Sequence, residues 1–230
     1  MGMGEHVRYG TAEQRRFGYL SLPPAGIGPG LIVLQEWWGL VGHITAAADR
    51  LAATGYVVLA PDLYRGAVAA DDDAARKLSL GLAMDQAAAE VADAIAFLGT
   101  HADRGAGTGI LGFGMGGSLA LWSGALLDEL GAVVACYPPR ASMARRWDRY
   151  ANKVAMIHAA EGDGGSTAPG VAEAVASIST AGGKVEVYDY PGTHHAFCNE
   201  EQPEFFDPDA AELVWSRTIE FFDRYARMPV

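Results

Sequence analysis

One stretch constrains this chain more than any other: Gly109-Ile110-Leu111-Gly112-Phe113-Gly114-Met115-Gly116-Gly117-Ser118-Leu119-Ala120. A short apolar run breaks into glycines and resumes as small residues suited to a helix, which predicts a strand, a sharp turn and a helix. Where such a turn carries a nucleophile, the pattern is Gly-x-nucleophile-x-Gly, with Ser or Cys at the tip and the next N–H aimed at a developing oxyanion. Here it reads Gly112-Phe113-Gly114-Met115-Gly116, so the tip is a glycine. A tip residue of this kind holds a strained backbone that costs a non-glycine about 1–3 kcal/mol. Glycine therefore keeps the turn and removes the attacking side chain.

The rest of the chain alternates strands and helices around that stretch. Val7–Tyr9 and Arg16–Leu22 alternate enough to predict an antiparallel edge pair, closed by Pro23-Pro24. Leu31–Leu34 and Tyr56–Ala60 are continuous apolar runs of the kind buried on both faces of a parallel sheet. Between them, Ile44, Ala47, Ala48 and Leu51 recur at helical spacing and Gly55 stops the helix. Asp71-Asp72-Asp73 supplies acids for a helix N-terminus, with helical spacing continuing to Leu98 and a break at Gly81. The helix after the glycine turn is expected to run to about Leu130. Ala132–Cys136, Val154–His158 and Val185–Tyr188 read as further strands, with a helix over 168–181 between the last two. Asp207-Pro208 opens a final helix whose stripe is Leu213, Trp215, Ile219, Phe222 and Ala226. This alternation predicts one α/β domain over 1–230, a mostly parallel doubly wound sheet with helices on both faces.

Composition narrows the function. A chain of 230 residues with a formal charge of −11 lacks the basic patches that nucleic acid or an anionic membrane surface would require, and a small-molecule substrate is the expected partner. The N-terminal residues carry no apolar core and no apolar run approaches membrane-spanning length, so a cytoplasmic location is expected. Cys136 and Cys198 fall on different elements and are expected to be free thiols.

In sheets of this kind the chemistry lies at the carboxyl ends of the strands. Read in order, those ends are Gln35-Glu36-Trp37-Trp38, Pro61-Asp62-Leu63-Tyr64, Phe113-Gly114-Met115, Tyr137-Pro138-Pro139-Arg140, Glu161-Gly162-Asp163 and Thr193-His194-His195-Ala196-Phe197. An acid after one late strand and a histidine after the last match the chain order nucleophile, acid, histidine of α/β-hydrolases. Together, Gln35-Glu36, Ala60-Pro61-Asp62-Leu63-Tyr64, the glycine turn, His158 with Asp163, and Pro191–Phe197 resemble the dienelactone hydrolase family from Leu31 to about Tyr225. The resemblance implies the α/β-hydrolase fold, hydrolysis of small cyclic esters and related carbonyl compounds, and no cofactor or metal. It places the catalytic cysteine's position at Gly114, the triad acid at Asp163, the triad histidine at His195 and the active-site glutamate at Glu36.

Two departures from that family are visible. Gly114 permits no covalent attack. Of the arginines that hold a dienelactone carboxylate, one position is Asn199, and Arg76 alone stands in for the other, which argues against dienelactone itself.

An Asp that accepts from one imidazole nitrogen fixes the tautomer and leaves the other nitrogen as a base. The leading expectation is therefore general acid/base catalysis by His195 and Asp163, with Glu36 as a second acid or base and the N–H groups of Trp37 and Met115 as oxyanion donors. The substrate would be a lactone, an ester or an enolisable carbonyl compound, the last giving elimination, cyclisation or isomerisation. Tyr64, Arg76, Tyr137 and Phe197 are candidate substrate-binding residues. Two other readings remain open at this point: a Cys or Ser hydrolase inactivated by Gly114, and a binding protein that keeps the pocket without chemistry. Ser118, Cys136 and Cys198 are poor replacements for the nucleophile, and Arg140, Arg145 and Arg146 read as a solvated basic face.

Overall fold

A computed structural model of the chain describes residues 4–103, 107–139, 141 and 146–226. Its frame is an eight-stranded sheet in the order β1-β2-β4-β3-β5-β6-β7-β8. The edge pair β1 (Glu5–Gly10) and β2 (Arg15–Ser21) is antiparallel, and β2 also runs antiparallel to β4 (Val57–Pro61). The remaining strands are parallel: β3 (Gly30–Leu34), β4, β5 (Thr108–Phe113), β6 (Leu130–Cys136), β7 (Val154–Ala160) and β8 (Lys184–Tyr190). Every residue of β3 and β4 is buried, as their unbroken apolar runs require.

Helices cover both faces. Six α-helices lie among the described residues: α1 (Gly42–Ala53), α2 (Asp72–Gly81), α3 (Met84–Leu98), α4 (Met115–Gly124), α5 (Pro169–Thr180) and α6 (Pro208–Tyr225). The core is split by the sheet. On one face Val91, Leu98, Leu119 and Ile178 from α3, α4 and α5 pack against Ile32, Leu59 and Ile110. On the other, Ile44, Leu51, Trp215 and Phe222 from α1 and α6 pack against Leu31, Val58 and Leu111.

Local chemistry sets the helix ends. The Asp71 carboxylate accepts from Ala74 N–H at 2.8 Å and the Asp207 carboxylate from Ala210 N–H at 2.9 Å, so both acids cap orphan donors. The expected break near Gly81 separates α2 from α3. Two expectations need correction. The helix after the glycine turn stops at Gly124, and Leu130 already belongs to β6. It ends early because Lys153 Nζ donates to the carbonyls of Gly124 (2.8 Å) and Leu127 (2.7 Å), while Tyr150 Oη donates to Leu121 O at 2.9 Å. In α6 the buried stripe is Ala211, Val214, Trp215, Thr218, Phe221 and Phe222, and Leu213 is 50% exposed. The helix is rotated so that the bulky Trp215 and Phe222 face the sheet.

The topology also places the site. From β3 the chain winds outward through α1 to β4, then crosses back to β5 on the other side of β3. The carboxyl ends of β3 and β5 therefore flank the point where strand order reverses, where α/β sheets bind ligands.

Candidate active site

The parallel register pairs Leu34 with Gly112, so Glu36 and Gly114, each two residues further on, emerge side by side. Gly114 sits at φ 51° and ψ −117° between β5 and α4, a positive-φ turn tip of the nucleophile-elbow kind. Its N–H donates to Cys136 O at 3.0 Å, tying the turn to β6. Gly116 lets α4 approach this closely, since a Cβ there would lie 2.5 Å from Gln35 O.

Asp163 and His195 follow the neighbouring strands β7 and β8. Their loops are tied together by Gly162 N–H to Thr193 O at 2.9 Å and by Gly192 N–H to the Glu161 carboxylate at 2.7 Å. The result is a contact of 2.7 Å between His195 Nδ1 and Asp163 Oδ2. Burial works against protonation of His195, but the hydrogen bond and charge of Asp163, joined by the charge of Glu36, outweigh it and raise the imidazole above its ordinary pKa. The imidazole remains 44% exposed. Its underside rests edge-on against the Tyr137 ring, with centroids 5.1 Å apart. Tyr137 (φ 38°) and Ala196 (φ 64°) both hold left-handed backbone beside His195, so strain gathers around this side chain.

The free nitrogen of that imidazole meets the glycine. An ideal Cβ on Gly114 would stand 3.4 Å from His195 Nε2, 3.8 Å from Glu36 Cγ and 3.9 Å from Glu36 Oε1. Glu36 is 3% exposed. Its Oε2 accepts from Asn199 Nδ2 at 2.8 Å, whereas no described donor reaches its Oε1 at ordinary hydrogen-bond geometry. Burial raises its carboxyl pKa, against the opposing pull of Asn199 and His195. The Tyr137 hydroxyl is buried beside the Glu36 carboxylate, whose pKa it pulls down by hydrogen bonding against the effect of burial. Burial first, and then the charge of Glu36, push the pKa of Tyr137 itself well up.

Around these groups lies a cavity of about 790 Å³, lined by Glu36, Trp37, Gly114, Met115, Asp163 and His195 and by the exposed Asp72, Arg76, Leu80 and Phe205. Arg76 enters it from α2, exposed and in no ion pair with a described residue. Tyr64, Tyr137 and Phe197, read from the sequence as substrate-binding, are not among the described lining residues. Tyr137 and Phe197 are fully buried behind the wall with their rings 5.5 Å apart, and the Tyr64 hydroxyl contacts Met115 Sδ at 3.3 Å. Their place is behind the cavity surface because Tyr137 supports His195 and Tyr64 supports the elbow.

Other candidates resolve in turn. Cys136 and Cys198 are free and buried, and burial raises both thiols far from thiolate character. Ser118 is buried one turn into α4. His158 is fully buried between Tyr190 Oη (2.7 Å) and Thr218 Oγ1 (3.1 Å), and burial with the nearby Arg217 charge lowers its pKa to about 3. It is a neutral structural residue. Arg146 is an exposed partner of Asp148 at 2.9 Å, while Arg140 and Arg145 lie outside the described residues. Among the described residues no cluster of His, Cys, Asp and Glu is arranged to hold a metal ion, and no helix is long and apolar enough to cross a membrane. Asn199, read from the sequence only as the position of a lost arginine, is the residue whose role toward Glu36 sequence reasoning missed. An amide immediately after the apolar Ala196-Phe197-Cys198 run was the available signal.

Comparison with known proteins gives the family and the fold. The family model described as the dienelactone hydrolase family matches residues 17–226. The chain is 32% identical over 236 residues to Protein usf of Aquifex pyrophilus, covering 97% of this chain and 99% of that protein. It is 26% identical over 219 residues to a carboxymethylenebutenolidase of Pseudomonas sp. (strain P51), covering 91% and 90% respectively. Among solved structures, a dienelactone hydrolase-like promiscuous phosphotriesterase, P91, from metagenomic libraries superposes with a TM-score of 0.83 at 20% identity, covering 96% of this chain and 97% of that one.

Proposed function

The chain belongs to the dienelactone hydrolase family and is a hydrolase-fold enzyme, and from that premise we propose that it acts on a small lactone, ester or enolisable carbonyl compound without a covalent nucleophile. The observation that carries this reading is the Asp163–His195 contact of 2.7 Å, which turns Nε2 toward the side-chain-free Gly114. Asp163 holds Nδ1 protonated, so Nε2 is the basic nitrogen, and its raised pKa makes it a stronger base than free imidazole.

The substrate carbonyl is seated in the cavity with its oxygen toward the N–H groups of Trp37 and Met115, at the ends of β3 and β5. Met115 is the first residue of α4, so the positive end of that helix dipole faces the developing oxyanion. Nε2 takes a proton from water or from the carbon beside the carbonyl, and the resulting imidazolium is stabilised by Asp163. The same proton is returned to the leaving oxygen or to carbon. Arg76 at the cavity wall suits a substrate that carries a carboxylate.

The test is turnover of a panel of lactones, aryl esters and enolisable ketones by the native chain and by His195→Ala, run in D2O with product mass and deuterium content recorded. Turnover abolished in His195→Ala supports the reading, and deuterium at carbon separates proton transfer from hydrolysis. Equal turnover by both chains refutes it.

A further inference from the structure

We infer that the space above Gly114 Cα is a binding site for a small protic nucleophile supplied from outside the chain, a water molecule in hydrolysis, held between His195 Nε2 and Glu36 Oε1. This rests on the reading of His195 as the base and selects direct addition of water among the reactions open to it.

Three observations carry it. The point where a Cβ would stand has His195 Nε2 at 3.4 Å and Glu36 Oε1 at 3.9 Å, and the three nearest atoms beyond the adjoining residues belong to these two side chains. Next, Glu36 Oε1 is a buried acceptor that no described donor reaches at ordinary hydrogen-bond geometry, although Oε2 of the same carboxylate is held at 2.8 Å by Asn199 and the Tyr137 hydroxyl lies close enough to lower the carboxyl pKa. A buried acceptor left without a donor costs about 1–3 kcal/mol, so a protic molecule here satisfies a group the fold leaves open. Last, Glu36, Gly114 and His195 all line the same cavity, so a molecule in this niche faces a substrate carbonyl seated beside Trp37 and Met115. One hydrogen of such a water points to Nε2 and the other to Oε1, which aims an oxygen lone pair at the carbonyl carbon.

The step balances without any co-reactant besides water. Nε2 removes a proton from water as the water oxygen bonds to the carbonyl carbon, and the C=O π pair moves to the carbonyl oxygen. Collapse of that oxyanion re-forms C=O and breaks the bond to the leaving oxygen, which takes the proton from the imidazolium. The products are a carboxylic acid and an alcohol or enol, and no acyl-enzyme forms.

Two measurements test the site. Gly114→Ala places one methyl group in the niche without a nucleophile. It should lower kcat for ester or lactone hydrolysis by about 100-fold or more, because a misplaced nucleophile forfeits that much, while KM and the circular dichroism spectrum stay near native. Independently of any variant, the native chain given hydroxylamine with an ester should form hydroxamate, with total turnover rising in proportion to hydroxylamine and no mass adduct on the intact protein. Hydrolysis by folded Gly114→Ala within about threefold of native would overturn the inference, since a blocked niche must cost far more than that. So would an acyl adduct, or a total rate that hydroxylamine leaves constant. If the native chain hydrolyses no ester or lactone, or His195→Ala matches it, the dyad reading fails and takes this inference with it. If His195 is essential and Gly114→Ala is unaffected, only the niche is refuted.

Discussion

Asn199 Nδ2 donates a 2.8 Å hydrogen bond to Glu36 Oε2, joining two buried residues 163 positions apart, of which Glu36 lines the cavity. The amide holds one oxygen of the carboxylate and thereby fixes where the other points. Glu36 Oε1 is left beside the Gly114 niche, where no described donor reaches it at ordinary hydrogen-bond geometry.

Asn199→Leu removes that donor and keeps the volume. The carboxylate then loses its Asn199 donor and the Glu201 N–H its acceptor, so the variant should lose about 1–3 kcal/mol of stability. Thermal melts at pH 7 would show it, and in a Glu36→Gln background most of the loss should vanish, because the buried charge is gone.

Glu36→Gln should stabilise the protein near neutral pH. The folded-state pKa of Glu36 is raised, chiefly by burial, so its proton-linked stability is present below the unfolded pKa and is lost as pH rises toward the folded value. The neutral glutamine avoids that loss. Its melting temperature should exceed native by a few degrees at pH 7, at roughly 2–4 °C per kcal/mol for a chain of this size, and should converge with native below about pH 4. Activity should fall in the same variant, since a neutral amide is a weaker acceptor for the water hydrogen than the carboxylate and no longer helps to raise the His195 pKa.

In the proposed reaction His195 acts as the base and must be neutral to do so, and its pKa is raised above 6.5 by Asp163 and Glu36 against the effect of burial. The kcat/KM profile should therefore lose its activity as pH falls through a value above 6.5. Asp163→Asn leaves burial in place and removes the main raising cause, so the acid limb should move to lower pH while the rate drops about 100-fold or more. A limb that stays in place would show that another group is the base.

Gly114→Ser puts a hydroxyl on a Cβ that lies 3.4 Å from His195 Nε2. The variant should show a burst with an activated aryl ester and an acyl adduct by intact mass, which the native chain lacks. The backbone at φ 51° disfavours any side chain, so the gain should come with a lower melting temperature, at a cost of about 1–3 kcal/mol.

Arg76→Gln tests the charge at the cavity wall. KM should rise about tenfold for substrates bearing a carboxylate and stay level for neutral esters, as expected for loss of one charge-assisted hydrogen bond.

Much of this was legible in the chain. Fully apolar runs such as Leu31–Leu34 can only be strands buried on both faces, and Asp71 and Asp207 announce helix starts because they cap the N–H groups that follow them. The glycines from 112 to 117 fixed the sharp turn, and the order Asp163 then His195 after successive late strands placed acid and base at one edge of the sheet. Leu213 misled because helical spacing identifies a stripe but not its exact rotation, and the end of α4 depended on Lys153, which lies 29 residues beyond Gly124.

What the sequence determined by itself was the alternation of strands and helices and the turn, which follow from interactions among residues close in the chain, while resemblance to a family named the candidate reacting groups. What only the tertiary structure decided was the meaning of Gly114. Parallel pairing of Leu34 with Gly112 puts Glu36 beside the turn, the loops after β7 and β8 swing His195 Nε2 over it, and Asn199 orients the carboxylate. Those contacts span most of the chain, and no local pattern encodes them, because strand order and register are set by how whole apolar faces pack rather than by any one residue's neighbours.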